Sequence, residues 1–159
     1  MLQRFGYGYD SHVFGAPRPF ILGGVEIAHD SGLHGHSDGD AVAHAVIDAL
    51  LGAAAMGDIG RLFPDSDSRW SGANSMSLLR EVRRRITAAS YQIVNVDITV
   101  ILEAPKLAPY IEDMRSNLAD ALSVTLGAVS VKAKTNEQMD DVGRGRGLMV
   151  HAVASLGGA

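Results

Sequence analysis

The spacing of apolar and polar residues changes several times along the chain and predicts an alternation of strands and helices. A glycine pair between two short apolar runs adds a hairpin. A polar stretch rich in Asp, Ser and Pro predicts a long loop. The predicted elements are a strand over Arg4–His12, a hairpin of Phe20–Leu22 with Val25–Ile27, a helix from about Gly39 to Met56 capped by Ser37 or Asp38, a loop over Asp58–Gly72, a helix over Asn74–Ala89, a strand over Val94–Glu103, a helix over Ala108–Leu122, and strands over Val129–Lys134 and Leu148–Leu156.

This order of elements predicts an α+β fold, in which a mixed β-sheet carries its helices on one face. The predicted strand segments Ile98–Val100 and Val150–Val153 are apolar. One layer of helices covers only one face of a sheet, so the other face would leave apolar side chains in water. Since large exposed apolar patches mark association surfaces, we expect the second face to be covered by another subunit.

Length and composition favour a single domain over residues 1–159. The net charge of −4 argues against a general nucleic-acid binder, which would need a basic surface. The sequence has no apolar run of the roughly 20 residues that cross a bilayer, and its start lacks signal-peptide character. The absence of cysteine excludes disulfides and thiolate ligands. We therefore expect a cytoplasmic protein with no membrane and no nucleic-acid partner.

Acidic and imidazole side chains concentrate around the first predicted helix. Asp40, His44 and Asp48 are spaced four residues apart, so they share one helix face. Burying such groups is costly unless they are paired or bind metal, so the concentration predicts a site. Asp40 and Asp48 fit capping or the orientation of His44 better than direct ligation.

A second pair of candidate ligands lies near the start of the chain. Asp10 and His12 are two residues apart on a predicted strand, so both point to one side of it. With His44 they would supply one carboxylate and two imidazoles. Three protein ligands with an open fourth position are typical of catalytic zinc. An Asp-x-His pair alone is often incidental, and His34 could in principle replace a ligand.

Several blocks of the sequence resemble the 2-C-methyl-D-erythritol 2,4-cyclodiphosphate synthase family nearly from end to end. The blocks are YDSH, HSDGDAVAHAVIDALLGAAAMGDIGRLFPDSD, APK, VKAKTNE and GRG. The resemblance implies conversion of 4-diphosphocytidyl-2-C-methyl-D-erythritol 2-phosphate to the 2,4-cyclodiphosphate with release of CMP. It also implies a homotrimer with the sheet packed around the trimer axis and active sites between adjacent subunits.

The resemblance assigns roles residue by residue. It implies zinc at Asp10, His12 and His44, and magnesium or manganese near Glu137. It makes His36 and Thr135 catalytic, as donors to phosphoryl oxygens. Lys134 stands where some members have threonine. The substrate-binding residues that it implies are Asp10, His12, Ser37, Asp58, Ile59, Gly60, Phe63, Pro64, Asp65, Ser66, Asp67, Ala104, Pro105, Lys106, Leu107, Ala108, Lys134, Asn136, Glu137 and Arg144.

Two other classes of protein fit some of the same residues. A zinc-dependent phosphohydrolase would use the three ligands to activate water and would need a general base beside the metal. A nucleotide-binding or trimeric structural protein would keep the pocket without needing an open metal position. Formation of CMP from the diphosphocytidyl substrate distinguishes the three.

Overall fold

The computed structural model describes residues 2–35, 37–64, 66–70 and 72–158. Its strands and helices follow the predicted order closely. The strands are β1 (Leu2–Ala16), β2 (Phe20–Leu22), β3 (Val25–Ile27), β4 (Gly32–Leu33), β5 (Tyr91–Ile101), β6 (Val129–Lys134) and β7 (Gly147–Gly158). The helices are α1 (Ala41–Ala54), α2 (Ile59–Leu62), α3 (Ser75–Ala88), α4 (Ile111–Leu122) and α5 (Asp140–Gly143).

Five strands form a mixed sheet in the order β4-β1-β7-β5-β6. The pair β5–β6 is parallel, and the other pairs in the sheet are antiparallel. Strands β2 and β3 form the predicted hairpin. Its two turn glycines, Gly23 and Gly24, have φ values of 56° and 70°, a conformation that glycine adopts without a steric penalty. The predicted α+β class with a mixed sheet is confirmed.

Helix α1 packs directly on the backbone of β1, because two strand residues on that side have no side chain. A Cβ atom at Gly6 would lie 1.9 Å from the carbonyl oxygen of Ala49, and one at Gly8 would lie 1.9 Å from that of Ala45. Alanines at the helix contact complete this close approach. The helix is buried between the sheet and α3, so it can place His44 beside β1.

The opposite face of β1 and β7 is open and apolar. Phe5, Tyr7 and Tyr9 alternate with the residues that face α1, and they are 67%, 59% and 41% exposed. Val153 on β7 is 45% exposed. His151 on β7 lies beside them, and its Nδ1 forms a hydrogen bond of 2.8 Å with the hydroxyl of Tyr7. The single chain therefore has an open apolar face, but β1 supplies most of it. Of the segments from which that face was expected, Ile98, Val100 and Val150 are buried and Val153 is exposed.

Two predicted boundaries near the site are wrong. Strand β1 does not end at His12; it continues to Ala16, because its ladder with β7 runs on to the pair Val13–Gly147 and its last residues pair with β4. Helix α1 is capped by Asp40, whose carboxylate accepts a hydrogen bond from the amide of Ala43, and not by Ser37 or Asp38. Those two side chains hydrogen bond with His44 and Ser75 instead.

The remaining boundary differences are smaller. The predicted loop over 58–72 contains the short helix α2 and a 3-10 turn over Ser68–Trp70. The predicted helix from Ala108 starts with a 3-10 turn, and its α-helical part begins at Ile111. Strand β5 runs over Tyr91–Ile101 rather than from Val94 to Glu103. None of the helices in the described ranges is long and apolar enough to cross a membrane.

Candidate metal centre and substrate site

The three predicted zinc ligands meet where β1 passes the first turn of α1. The Oδ2 atom of Asp10 lies 2.8 Å from Nε2 of His12 and 3.0 Å from Nδ1 of His44. One ligand atom from each residue lies within 4.8 Å of the other two. Within the ranges that the structure describes, this is the one group of three or more such side chains that could hold a metal ion.

The local electrostatics keep this group ready for a cation. Burial raises the pKa of Asp10, but hydrogen bonds and charge from His12 and His44 outweigh it, so this pKa falls from 3.8 to about 2. Burial lowers the pKa of His12, and the contact with Asp10 raises it by more, so its pKa rises above 6.5. The carboxylate is therefore ionised, and a cation would take the place of the imidazole protons beside it.

The outer nitrogen of His12 has a fixed partner. Its Nδ1 atom lies 2.5 Å from the carbonyl oxygen of His34. A carbonyl oxygen can only accept, so Nδ1 donates to it, and Nε2 is the nitrogen that faces Asp10 and would give up its proton when a cation binds. The side chain of Arg18 donates to the carbonyls of Leu33 and Ser37, and so fixes the segment on both sides of His36. His36 itself lies outside the described residues.

A cavity of about 310 Å³ opens beside the metal ligands. Its walls include Ser37 and four residues of the predicted substrate-binding set, Ile59, Gly60, Phe63 and Pro64. The fold therefore brings these predicted residues to His12 and His44. The lining residues, taken together, are His12, Gly35, Ser37, His44, Ile59, Gly60, Phe63, Pro64, Trp70 and Leu78.

Two aspartates shape the cavity wall without touching the metal ligands. Asp58 caps α2 by accepting a hydrogen bond of 2.8 Å from the amide of Arg61. Asp48 accepts one of 2.8 Å from the amide of Ile59, and burial raises its pKa above 3.8. Asp48 thus connects α1 to α2, and this contact confirms the structural role expected of it. Asp40 caps α1, as one of the two expected roles requires, and its backbone carbonyl accepts from the amide of His44 at 3.1 Å. Neither carboxylate hydrogen bonds to the imidazole of His44, whose partners are Asp10, Ser37 and Ser75, so the capping role holds and the orienting role does not.

The resemblance assigns Ala104–Ala108 to the cytidine pocket and Lys134, Thr135 and Glu137 to the cytidyl diphosphate, and these residues lie elsewhere. The segment Ala104–Ala108 follows β5, Lys134 is the last residue of β6, and Thr135–Glu137 follow it. They are joined to each other, since the amide of Asn136 donates to the carboxylate of Glu103 at 3.1 Å. Thr135 donates from Oγ1 to Oε1 of Glu137 at 3.0 Å, and both side chains are exposed.

The register of the strands gives the distance between the metal half of the predicted site (Asp10, His12 and His44) and its nucleotide half (Ala104–Ala108 and Lys134–Glu137). Ser11 pairs with Met149, which pairs with Ile101, which pairs with Lys134. The two halves are thus at the same end of the sheet but three strand spacings apart, roughly 14 Å. None of the residues that line the cavity belongs to the nucleotide half. One chain therefore does not bring the two predicted halves together.

The other predicted residues are placed as follows. Arg144 is exposed just after α5 and lies 3.5 Å from Asp141. Asp67 forms an exposed ion pair with Arg69, and Ser66 is exposed beside it. Asp65 lies outside the described residues. Arg144, Asp67 and Ser66 do not line the cavity.

Sequence reasoning missed Trp70 and Leu78, which complete the apolar wall. The rings of Phe63 and Trp70 meet edge to face, 4.9 Å apart. Trp70 is the chain's one tryptophan and sits in a polar stretch. A large apolar residue between polar neighbours is a signal that could have identified it.

Comparison with known proteins agrees with the geometry. The model of the YgbB family matches residues 3–157. A 2-C-methyl-D-erythritol 2,4-cyclodiphosphate synthase of Brachyspira hyodysenteriae is 54% identical over 154 residues, which are 97% of this chain and 98% of that protein. One of Cupriavidus necator with the same name is 56% identical over 153 residues, 96% of this chain and 90% of that protein.

A solved structure extends the likeness to three dimensions. The IspF of Plasmodium falciparum, in complex with CDP, superposes with a TM-score of 0.86 at 34% identity, over 98% of this chain and 96% of that one. The match by the family model and the identity to the curated relatives both extend over nearly the whole chain. The chain therefore belongs to the YgbB family, in which its curated relatives are 2-C-methyl-D-erythritol 2,4-cyclodiphosphate synthases.

Proposed function

We propose that this chain converts 4-diphosphocytidyl-2-C-methyl-D-erythritol 2-phosphate to 2-C-methyl-D-erythritol 2,4-cyclodiphosphate and CMP, in the non-mevalonate pathway of isoprenoid synthesis. The observation that carries the proposal is the cluster of Asp10, His12 and His44 at the edge of a cavity of about 310 Å³, in a member of this family. The reaction is a phosphorus–oxygen lyase reaction and an intramolecular phosphoryl transfer. An oxygen of the 2-phosphate attacks the β-phosphorus, the bond from that phosphorus to the bridging oxygen breaks, and CMP departs with that oxygen.

The substrate supplies its own nucleophile, so the protein contributes position and charge rather than a covalent intermediate. Ser37 faces the cavity and is placed to bind a phosphoryl oxygen. Lys134 ends β6 and Thr135 follows it, and both are exposed where the nucleoside diphosphate would bind. His36 is assigned to the same task as Thr135, donation to phosphoryl oxygens.

The ligand set fits zinc. Two imidazole nitrogens and one carboxylate oxygen are the donors that a catalytic zinc takes, and the cavity leaves a side open for a phosphoryl oxygen. When bound there, zinc supplies Lewis-acid polarisation of phosphoryl oxygens. Glu137 offers a single exposed carboxylate. A magnesium or manganese ion there would depend on substrate phosphates and water for its other ligands.

A homotrimer with composite sites accounts for the two separated halves. The metal half and the nucleotide half are roughly 14 Å apart across one sheet. The open aromatic face of β1 and β7 supports burial against a neighbouring copy. A second subunit would then place its own Thr135 and Lys134 over the metal half of the first.

The decisive experiment incubates the purified protein with the diphosphocytidyl substrate in H₂¹⁸O and follows products by phosphorus NMR and mass spectrometry. Cyclisation gives CMP and the cyclic diphosphate with no ¹⁸O in either. A phosphohydrolase would introduce ¹⁸O into a product phosphate, and a binding protein would leave the substrate intact. Either of these two results would refute the proposal.

The composite site has its own test. Asp10→Ala and Thr135→Ala proteins, each inactive or nearly so, are dissociated, mixed and reassembled. A mixed trimer contains some sites whose two halves are both intact, so part of the activity should return. Verified mixed trimers with no more activity than the separate variants would contradict the arrangement.

A further inference from the structure

The outer nitrogen of His44 faces hydroxyl groups rather than a carbonyl. Its Nε2 lies 2.9 Å from Oγ of Ser75 and 3.0 Å from Oγ of Ser37. A hydroxyl can donate or accept, so these contacts alone do not settle which ring nitrogen carries the proton. His12 has no such ambiguity, because its partner is the carbonyl oxygen of His34.

Asp38 removes the ambiguity at Ser75. Its Oδ1 accepts from the hydroxyl of Ser75, and its Oδ2 accepts from the amide of the same residue at 3.0 Å. The amide of Asp40 also donates to Oδ1, at 3.2 Å. An ionised carboxylate can only accept, so the single hydroxyl proton of Ser75 is committed to Asp38. Oγ of Ser75 then has only lone pairs to offer to His44.

Ser75 is also placed where substrate cannot reach it. It is the first residue of α3 and is 0% exposed, and it is not part of the cavity wall. Ser37, by contrast, is partly exposed and lines the cavity, so its hydroxyl is available to substrate. The partner that stays with His44 in every state of the site is therefore Ser75.

We propose that Ser75, oriented by Asp38, is a positioning residue that accepts a hydrogen bond from Nε2 of His44 and so holds Nδ1 toward a divalent cation between Asp10, His12 and His44. The inference rests on the proposed function only in taking that cluster as a metal site. It explains why the segment after β4, which carries Asp38, is hydrogen bonded to the start of α3, which carries Ser75. Partners of this kind typically change metal affinity by about 10–100-fold.

The test measures zinc affinity by competition with a chromophoric chelator, with no substrate present. Ser75→Ala removes the acceptor, and Ser75→Cys keeps nearly the same volume with a much weaker one. Both should raise the dissociation constant for zinc by about 10–100-fold. Ser77→Ala is the matched control, since Ser77 is an exposed serine in the same helical turn; it should bind zinc like the parent protein.

The protonation of His44 is read separately by NMR of ¹⁵N-labelled imidazole in the zinc-loaded protein. The parent should show a slowly exchanging Nε2 proton on His44, and the two Ser75 variants should show fast exchange there. His12, held by a backbone carbonyl, should be unchanged in all four proteins. A purely structural effect of Ser75 would alter both imidazoles alike.

Unchanged zinc affinity in folded Ser75→Cys protein, or an equally protected Nε2 proton, would overturn the inference. So would a parent protein that binds no zinc. Because these measurements use no substrate, they separate this inference from the proposed reaction. Weaker zinc binding in the variants together with a parent that forms no CMP would reject the reaction and retain the role of Ser75.

Discussion

The two halves of the proposed site differ in how the chain holds them. In the metal half, both imidazoles have hydrogen-bond partners on either side, and the polypeptide fixes them from β1, α1 and α3. In the nucleotide half, Thr135 and Glu137 are exposed and bond mainly to each other. The first half is thus organised within one chain, whereas the second is an exposed ledge, which under the proposed composite site would be completed by substrate or a neighbouring copy.

The largest effect should come from removing a metal ligand. We expect His44→Ala to lower zinc content to background and to reduce CMP formation by about 10³-fold or more, since the electrostatic stabilisation at the transferring phosphate is lost. The fold should persist, because His44 is only partly buried and its neighbours in α1 pack without it. Metal analysis together with circular dichroism checks this. A full zinc complement in the folded variant would contradict the ligand assignment.

The nucleotide half should behave differently. Thr135→Ala should lower CMP formation by about 10²-fold, the range for loss of one transition-state donor. It should leave zinc content unchanged, because Thr135 follows β6, which β7 and β5 separate from β1 in the sheet. Comparing zinc content and turnover number for the two variants sharpens the contrast. Loss of zinc from Thr135→Ala would mean that the halves are not independent.

The metal half was accessible to sequence reasoning because its ligands obey local periods. Asp10 and His12 follow the two-residue period of a strand, and His44 follows the helical period of α1. Ser75 was not accessible, since it is 31 residues from His44 and no periodicity links the two. Trp70 was missed for the same reason, because the loop that carries it has no repeating pattern.

Prediction of the fold followed the same rule: features set by local sequence were predicted, and features set by long-range contacts were not. The hairpin at Gly23 and Gly24 was predicted because its turn chemistry is local. The true end of β1 was not, because it is decided by tertiary pairing, first with β7, more than a hundred residues away, and at Ala16 with Gly32 of β4. The N-cap of α1 was misassigned because three neighbouring polar residues compete for that role, and tertiary contacts with His44 and Ser75 draw two of them away. Asp40 prevails because it also binds the amides of Gly23 and Gly24.

A third prediction changes the packing that joins β1 to α1. A Cβ at Gly8 would lie 1.9 Å from the carbonyl oxygen of Ala45, next to His44, so Gly8→Ala must push the helix away from the strand. We expect a loss of about 1–3 kcal/mol in the free energy of unfolding, together with weaker zinc binding. Urea unfolding and the chelator competition measure the two effects.

Gly52→Ala is the matched control for Gly8→Ala. A Cβ there would meet only the carbonyl oxygen of Tyr7, at 3.9 Å. Since alanine is the better helix former, this variant should be equal to the parent or more stable by up to about 1 kcal/mol. Equal stability of Gly8→Ala and Gly52→Ala would show that the close approach of α1 does not position the metal half.

The smallest expected effect concerns charged side chains on the surface of α3, which interact with each other and belong to no binding site. Glu81 pairs with Arg84 and Arg85, both at 2.8 Å, and these hydrogen bonds lower its pKa from 4.5 to about 2. A carboxyl whose pKa is depressed in the folded state stabilises the fold above its unfolded pKa, and this contribution disappears as pH falls through the folded pKa. Glu81→Gln should therefore lower the free energy of unfolding by about 0.5 kcal/mol near pH 7, because each surface pair in a helix contributes only a few tenths of a kcal/mol.

The difference in unfolding free energy between this variant and the parent should shrink between pH 4.5 and 2, and 1 M salt at pH 7 should also reduce it. Unfolding curves at several pH values measure this, and a difference that stays constant with pH would show that the charge of Glu81 does not contribute.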